Sequence, residues 1–146
     1  MEITRDFTVA VFIVNNGKVL LHKHKKLEKW LPLGGHIDND ELPQECAIRE
    51  VKEESGLNIK LVDCGENLSE VGSMNLVQPY AVLCHDITKH HQHINFEFFA
   101  RLASGGIAPA AGESEEIKWF ALPDVLKLDT YANVRALAKK ALEMLK

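Results

Sequence analysis

The chain has 146 residues, of which 46% are hydrophobic and 26% charged, with a formal net charge of −4. That length fits one domain able to bury about two-thirds of its unfolded surface, and the acidic balance argues against a nucleic-acid polymer as partner, since such binders carry broad basic faces. Cys46, Cys64 and Cys84 are odd in number and form no CxxC pair, which fits free thiols rather than a disulfide framework or a zinc knuckle.

Phe7 to Val14 is rich in β-branched and aromatic residues, Asn15-Asn16-Gly17 offers a turn, and Lys18 to His24 resumes the pattern, so a β-hairpin is expected. Leu31 to Gly35 reads as a loop, because Pro32 and two adjacent glycines oppose regular structure. Pro43 opens a helix at its first position, where a missing N–H costs nothing, and the helix runs to about Ser55 with Gly56 as a left-handed cap. Leu42 takes the N-cap position where Ser, Thr or Asp is preferred, and Asp38 and Asp40 are expected to compensate with negative charge near the helix start. Further strands are expected at Ile59 to Cys64, Gln78 to His85, Ile94 to Leu102 and Ile117 to Ala121. Val134, Leu137, Ala138, Ala141, Leu142 and Leu145 recur at three and four, which predicts a closing helix from about Thr130 to Leu145. The order of elements implies an α/β domain spanning residues 1–146, with a mixed sheet flanked by helices.

The first helix carries the most informative residues. Glu50, Glu53 and Glu54 lie three and four apart and fall on one narrow arc, with Arg49 beside them. Like charges at that spacing repel, and a divalent cation among them removes the conflict. Clustered oxygen ligands select Mg²⁺, or Mn²⁺, over zinc. Arg49 has the planar fork that can hold a neighbouring carboxylate in one orientation.

The stretch GHIDNDELPQECAIREVKEESGL, Gly35 to Leu57, resembles the signature box of the Nudix hydrolases. The fixed positions of that box are matched by Gly35, Glu41, Arg49, Glu50, Val51, Glu53, Glu54, Gly56 and Leu57 without departure. A chance match in a chain of this length is on the order of 10⁻⁸ at average residue usage. The resemblance implies an α/β/α sandwich and hydrolysis of a nucleoside diphosphate linked to another moiety. It implies Glu50, Glu53, Glu54 and the main-chain carbonyl of Gly34 as metal ligands. Glu53, Glu50 and Arg49 then carry the chemistry, while Gly35 and Glu41 support the ligands from behind or through water.

Nudix proteins often add an acidic residue from a late loop, and in ESEEIKWF the first choice is Glu113, ahead of Glu116. Lys23 and His24, in a basic patch with His22, Lys25, Lys26 and Lys29, are expected to touch substrate phosphates. Trp30 is read as a core plug rather than a stacking platform. Alternation in the expected strand Ile94 to Leu102 sends Ile94, Phe96 and Phe98 inward, leaving His93, Asn95 and Glu97 as candidates for substrate specificity on the other face. His90 and His91 read as a surface hairpin tip and not as a transition-metal site.

A small nucleotide or nucleoside-diphosphate derivative is the expected partner, with no membrane, and a monomer or homodimer as the assembly. The competing reading is a catalytically silent Nudix-like nucleotide sensor, but such proteins typically lose box glutamates and all are kept here. The N-terminal MEITRD shows no secretory leader and Phe7 to Val14 is too short to span a bilayer, so the expected location is cytoplasmic. Subfamily markers past the box are absent at Gly72, Ser73, Met74 and Asn75, which leaves a nucleoside triphosphate or modified nucleotide as the favoured substrate.

Overall fold

The computed structural model describes residues 2–110, 112 and 116–146. In chain order the elements are β1 (Thr4–Asn15), β2 (Lys18–Lys23), β3 (Trp30–Leu31), β4 (Leu33–His36), α1 (Pro43–Ser55), β5 (Asn58–Leu61), β6 (Ala81–Thr88), β7 (His91–Ser104), β8 (Ile117–Ala121), α2 (Leu122–Val125) and α3 (Ala132–Met144). The strands form one mixed sheet whose path runs β3-β2-β1-β7-β5, with β4 beside β1, β6 beside β7 and β8 beside β2. At its centre β1 and β7 run parallel from Thr4↔His91 to Val14↔Arg101.

Residues 8–14 of β1 are all buried, as a strand covered on both faces requires. Val9, Val11 and Ile13 face one cluster with Cys46, Ala47 and Val51 of α1. Phe12 and Val14 face the other, with Val134, Leu137, Ala138 and Ala141 of α3. The layers are therefore helix, sheet, helix. Trp30 packs against the second cluster, edge-on to Phe120 with ring centroids 4.9 Å apart.

Two expectations are corrected. Leu31 to Gly35 is not a loop: β3 pairs with β2, and β4 pairs with β1 through Val9↔Gly35 and Ala10↔Gly34. Pro32 separates two short strands, and the glycines mark a place where other groups approach closely. Glu45 also supports the helix start: its carboxylate accepts the Leu42 N–H at 2.9 Å; leucine has no acceptor to return, so only this half of a capping box forms. Strand limits also shift: β5 ends at Leu61, β6 starts at Ala81, and β7 begins at His91 because Thr4 to Phe7 pair with it. Helix α1 has the expected limits, and Gly56 caps it at φ 79°. Among the described residues no helix is long and apolar enough to cross a membrane.

Candidate active site

On α1, Ala47, Glu50, Val51 and Glu54 recur at i, i+3, i+4 and i+7, the positions of one helix face. That face packs on the sheet, so two glutamates occupy a stripe that an ordinary amphipathic helix fills with apolar residues. A buried carboxylate needs hydrogen bonds or counter-charge. Glu54, 8% exposed, accepts the Gly34 N–H at 2.9 Å. Glu50 receives Arg49 Nη1 at 3.0 Å and lies against Gly35. A Cβ on Gly35 would fall 2.8 Å from Glu50 Oε2 and closer still to Oε1 and Cδ. The glycine is required by the carboxylate above it. A Cβ on Gly34 would instead meet backbone, 2.9 Å from the Val9 carbonyl carbon and nearer its oxygen.

Arg49 ties the site together. Its Nε and Nη2 donate to the two oxygens of Glu41 at 2.6 and 2.9 Å, a bidentate fork. Nη2 also donates to the His36 carbonyl at 3.2 Å, and Nη1 reaches Glu53 at 3.3 Å. The Arg49 hydrogen bonds hold the Glu41 carboxyl down at about 2, and the same hydrogen bonds raise the guanidinium pKa, so it stays charged. Burial pushes the Cys46 thiol up to about 12, with Sγ directed at the His36 carbonyl at 3.3 Å; it is no nucleophile. Glu53, half exposed, is the box glutamate most open to solvent.

The expected outer residues separate. Lys23 Nζ lies 4.0 Å from Glu116 Oε2. His24 Nδ1 accepts the N–H groups of Lys26 and Leu27 at 3.2 and 3.1 Å, so it holds the turn after β2. Glu113 lies outside the described residues. The segment leading to it is anchored on α1, where Ala108 N–H donates to Ser55 O at 2.7 Å and Ala110 N–H to Glu53 O at 3.1 Å.

On the opposite side of the sheet a polar chain runs along β7. Thr8 donates to Asn95 Oδ1 at 2.7 Å, Asn95 Nδ2 donates to Glu97 Oε1 at 2.7 Å, and His85 Nε2 stands 3.5 Å from Glu97. Glu97 is only 3% exposed and burial raises its pKa; its contacts are with Asn95 and His85 rather than with solvent. His93, its pKa lowered by burial and then by His36 and His91, neighbours Asp6 with both of those rings. A cleft of about 510 Å³ opens beside them, lined among others by Arg5, Asp6, His36, Asp38 and Glu41. Asp6 and His36 escaped sequence reasoning. The visible signal was His91 and His93, two apart and so on one face of a strand.

A family model described as NUDIX domain matches residues 4–141. A solved structure of a NUDIX-family hydrolase from Clostridium perfringens superposes with a TM-score of 0.85 at 40% identity, over 99% of this chain and 100% of that one. A MutT protein from Methanosarcina mazei, 20% identical over 100% of this chain and 99% of its own, shares the fold with a TM-score of 0.73. Among curated proteins, the NAD-capped RNA hydrolase NudC of Vibrio atlanticus is 27% identical over 130 residues, 86% of this chain and 42% of that protein. The corresponding protein of Pseudomonas aeruginosa is 26% identical over 79% of this chain and 36% of its own length; the chain thus spans less than half of these relatives. Box, fold and relatives agree, and the chain belongs to the Nudix family.

Proposed function

We propose that the protein is a divalent-metal-dependent hydrolase that cleaves the pyrophosphate linkage of a nucleoside di- or triphosphate, or a related nucleotide derivative, by attack of water on phosphorus. The observation that carries this reading is the placement of Glu50 and Glu54 on the sheet-facing stripe of α1, Glu50 against Gly35, which leaves it room, and Glu54 on the Gly34 N–H. A structural helix has no use for paired carboxylates there, whereas a metal-binding one does.

The donor set fits Mg²⁺ or Mn²⁺: three carboxylates, Glu50, Glu53 and Glu54, beside the Gly34 peptide, with no imidazole or thiolate among them. When bound, such an ion neutralises charge on the diphosphate oxygens and lowers the pKa of water. The protein's own part is positioning. Arg49 holds Glu41 rigidly and steadies Glu50 and Glu53, while the Gly34 N–H fixes Glu54. Glu53, the most open of the three, takes the proton from the attacking water, and Glu113 is the candidate to assist from its loop. Displacement at phosphorus needs orientation and charge stabilisation more than a covalent nucleophile, in accord with an inert Cys46.

Lys23 is assigned to the substrate phosphates and Asn95 to substrate recognition, held in place by Thr8 and Glu97. His24 supports Lys23 by ordering the turn that follows it. The substrate is a small nucleotide derivative rather than a polymer, and the protein works in the cytoplasm as a monomer or homodimer. The test is product release from a panel of nucleoside triphosphates, dinucleoside polyphosphates, ADP-ribose, NAD and an NAD-capped oligonucleotide, with and without Mg²⁺. Cleavage of at least one member only with the metal supports the reading. Binding of nucleotides with no turnover of any would replace it with the silent sensor.

A further inference from the structure

Three strands bring a second set of donors to one face of the sheet. The parallel register of β1 and β7 places Asp6 beside His93 and Thr4 beside His91, and His36 at the end of β4 pairs with Thr8. Residues two apart on a strand share a face, so Asp6, His91 and His93 converge although 85 or more positions separate the aspartate from the histidines. The ligand atoms of these three residues all lie within 4.8 Å of one another. Both His91 Nε2 and His36 Nε2 stand 3.2 Å from Asp6 Oδ2, and His93 Nε2 stands 3.8 Å from it.

The His91–Asp6 separation has the size of an edge of a coordination polyhedron, and the His93–Asp6 separation is somewhat longer. With metal–nitrogen and metal–oxygen bonds of about 2.0–2.1 Å, ligands around a tetrahedral ion are about 3.3–3.4 Å apart. Hydrogen bonding to Asp6 accounts for His91, whose Nε2 lies 3.2 Å from Oδ2, but not for His93. The His93 nitrogen is too far from the carboxylate to donate to it, yet its ring is held edge to face between His36 and His91, at centroid distances of 4.8 and 5.1 Å.

The surroundings orient the rings as ligands require. Thr4 Oγ1 donates to the His90 carbonyl at 3.3 Å and lies 2.8 Å from His91 Nδ1. It can accept the Nδ1 proton, and that tautomer leaves the His91 Nε2 lone pair directed toward Asp6. His36, exposed at the rim, steadies the same carboxylate. Strands hold such donors more firmly than loops do.

We propose that Asp6, His91 and His93 form a site for a divalent transition metal, with Zn²⁺ as its best-matched ion, separate from the glutamates of α1. Two imidazoles and one carboxylate suit zinc and its neighbours, whereas the all-oxygen set of the box suits Mg²⁺. Three protein ligands leave one position open, and Asp6 and His36 both line the cleft that extends to Glu41, so an anionic group in that cleft can complete the shell. His93 is thereby assigned to a metal rather than to substrate specificity. His91 then serves as a ligand rather than only as part of a surface hairpin tip.

The test is calorimetric titration of Zn²⁺ into protein without a histidine tag, in millimolar Mg²⁺, together with the visible spectrum after Co²⁺ substitution. One equivalent of Zn²⁺ is expected, with the intense absorption of four-coordinate Co²⁺. Affinity should fall at least tenfold in Asp6→Asn, His91→Gln and His93→Gln, and stay unchanged in His90→Ala and Glu53→Gln. Thermal melts without metal identify any variant that has lost its fold, and the two remaining variants then decide the outcome. Absence of stoichiometric binding overturns the proposal. So does binding that Mg²⁺ displaces, that Glu53→Gln abolishes, or that folded triad variants retain.

Discussion

Gly35→Ala separates the fold from the chemistry. Its Cβ would enter the space of the Glu50 carboxyl, 2.8 Å from Oε2 and closer to the other two atoms, where ordinary contact begins near 3.4 Å. The obstacle is the far end of a flexible side chain, and Gly35 is not among the residues with positive φ, so strand β4 tolerates alanine. The carboxylate must retreat by on the order of 1 Å, and a misplacement of that size at a reacting centre costs roughly a hundredfold in rate. The expected result is kcat lowered about a hundredfold with Tm within a few degrees of wild type. Gly34→Ala is the contrast: its Cβ meets the Val9 backbone, which cannot swing aside, and overpacking of that kind costs about 1–3 kcal/mol. Steady-state kinetics on a cleaved substrate and thermal melts of both variants make the comparison. Wild-type kcat in a folded Gly35→Ala protein would refute the claim that Glu50 must sit where it does.

Other consequences follow from the same geometry. Glu53→Gln and Glu54→Gln are each expected to lower turnover at least about a hundredfold at saturating Mg²⁺ while preserving the fold, since charge is lost without bulk; kinetics and melts on both variants check this. Glu41→Gln removes one half of the Arg49 fork. After discounting for partial exposure, the loss is about 1–2 kcal/mol at pH 7, or roughly 3–6 °C in Tm. Because the folded pKa of Glu41 is lowered to about 2 from 4.5, the wild-type advantage is present above pH 4.5 and disappears as pH falls toward 2, which denaturant unfolding across that window measures. Glu97 has the opposite sign: burial raises its folded pKa, so the wild type loses stability as pH climbs from 4.5 through that raised value. Glu97→Gln should therefore gain Tm relative to wild type as pH rises, and a constant difference between the two proteins from pH 4.5 to 8 would contradict it.

Helix α1 was legible in the sequence because its boundaries are written in local chemistry, Pro43 at the start and Gly56 in the left-handed region at the end. The α3 stripe was legible for a different reason, as an uninterrupted periodic pattern. Strands β3 and β4 were not, since local propensity treats Gly34-Gly35 as a break. Tertiary demand decided otherwise: room for Glu50 and a close pass of the Val9 backbone. Within the site, the spacing of Glu50, Glu53 and Glu54 predicts a shared face, but only the packing shows that Glu50 and Glu54 turn inward while Glu53 faces solvent. The Asp6 cluster was hidden for a topological reason. Its members come from strands distant in sequence, and the parallel β1–β7 pairing that joins them leaves no local mark.

Cleavage in ¹⁸O-labelled water, with products analysed by mass spectrometry, tests the central claim most directly. For a nucleotide selected from the panel, a single ¹⁸O should appear in one of the two phosphate-bearing products. Labelled product should form only when Mg²⁺ or Mn²⁺ is present, and Glu53→Gln should reduce it at least about a hundredfold. Products that form at the same rate without divalent metal, that carry no label on phosphorus, or that persist undiminished in Glu53→Gln would contradict metal-dependent attack of water by the box glutamates.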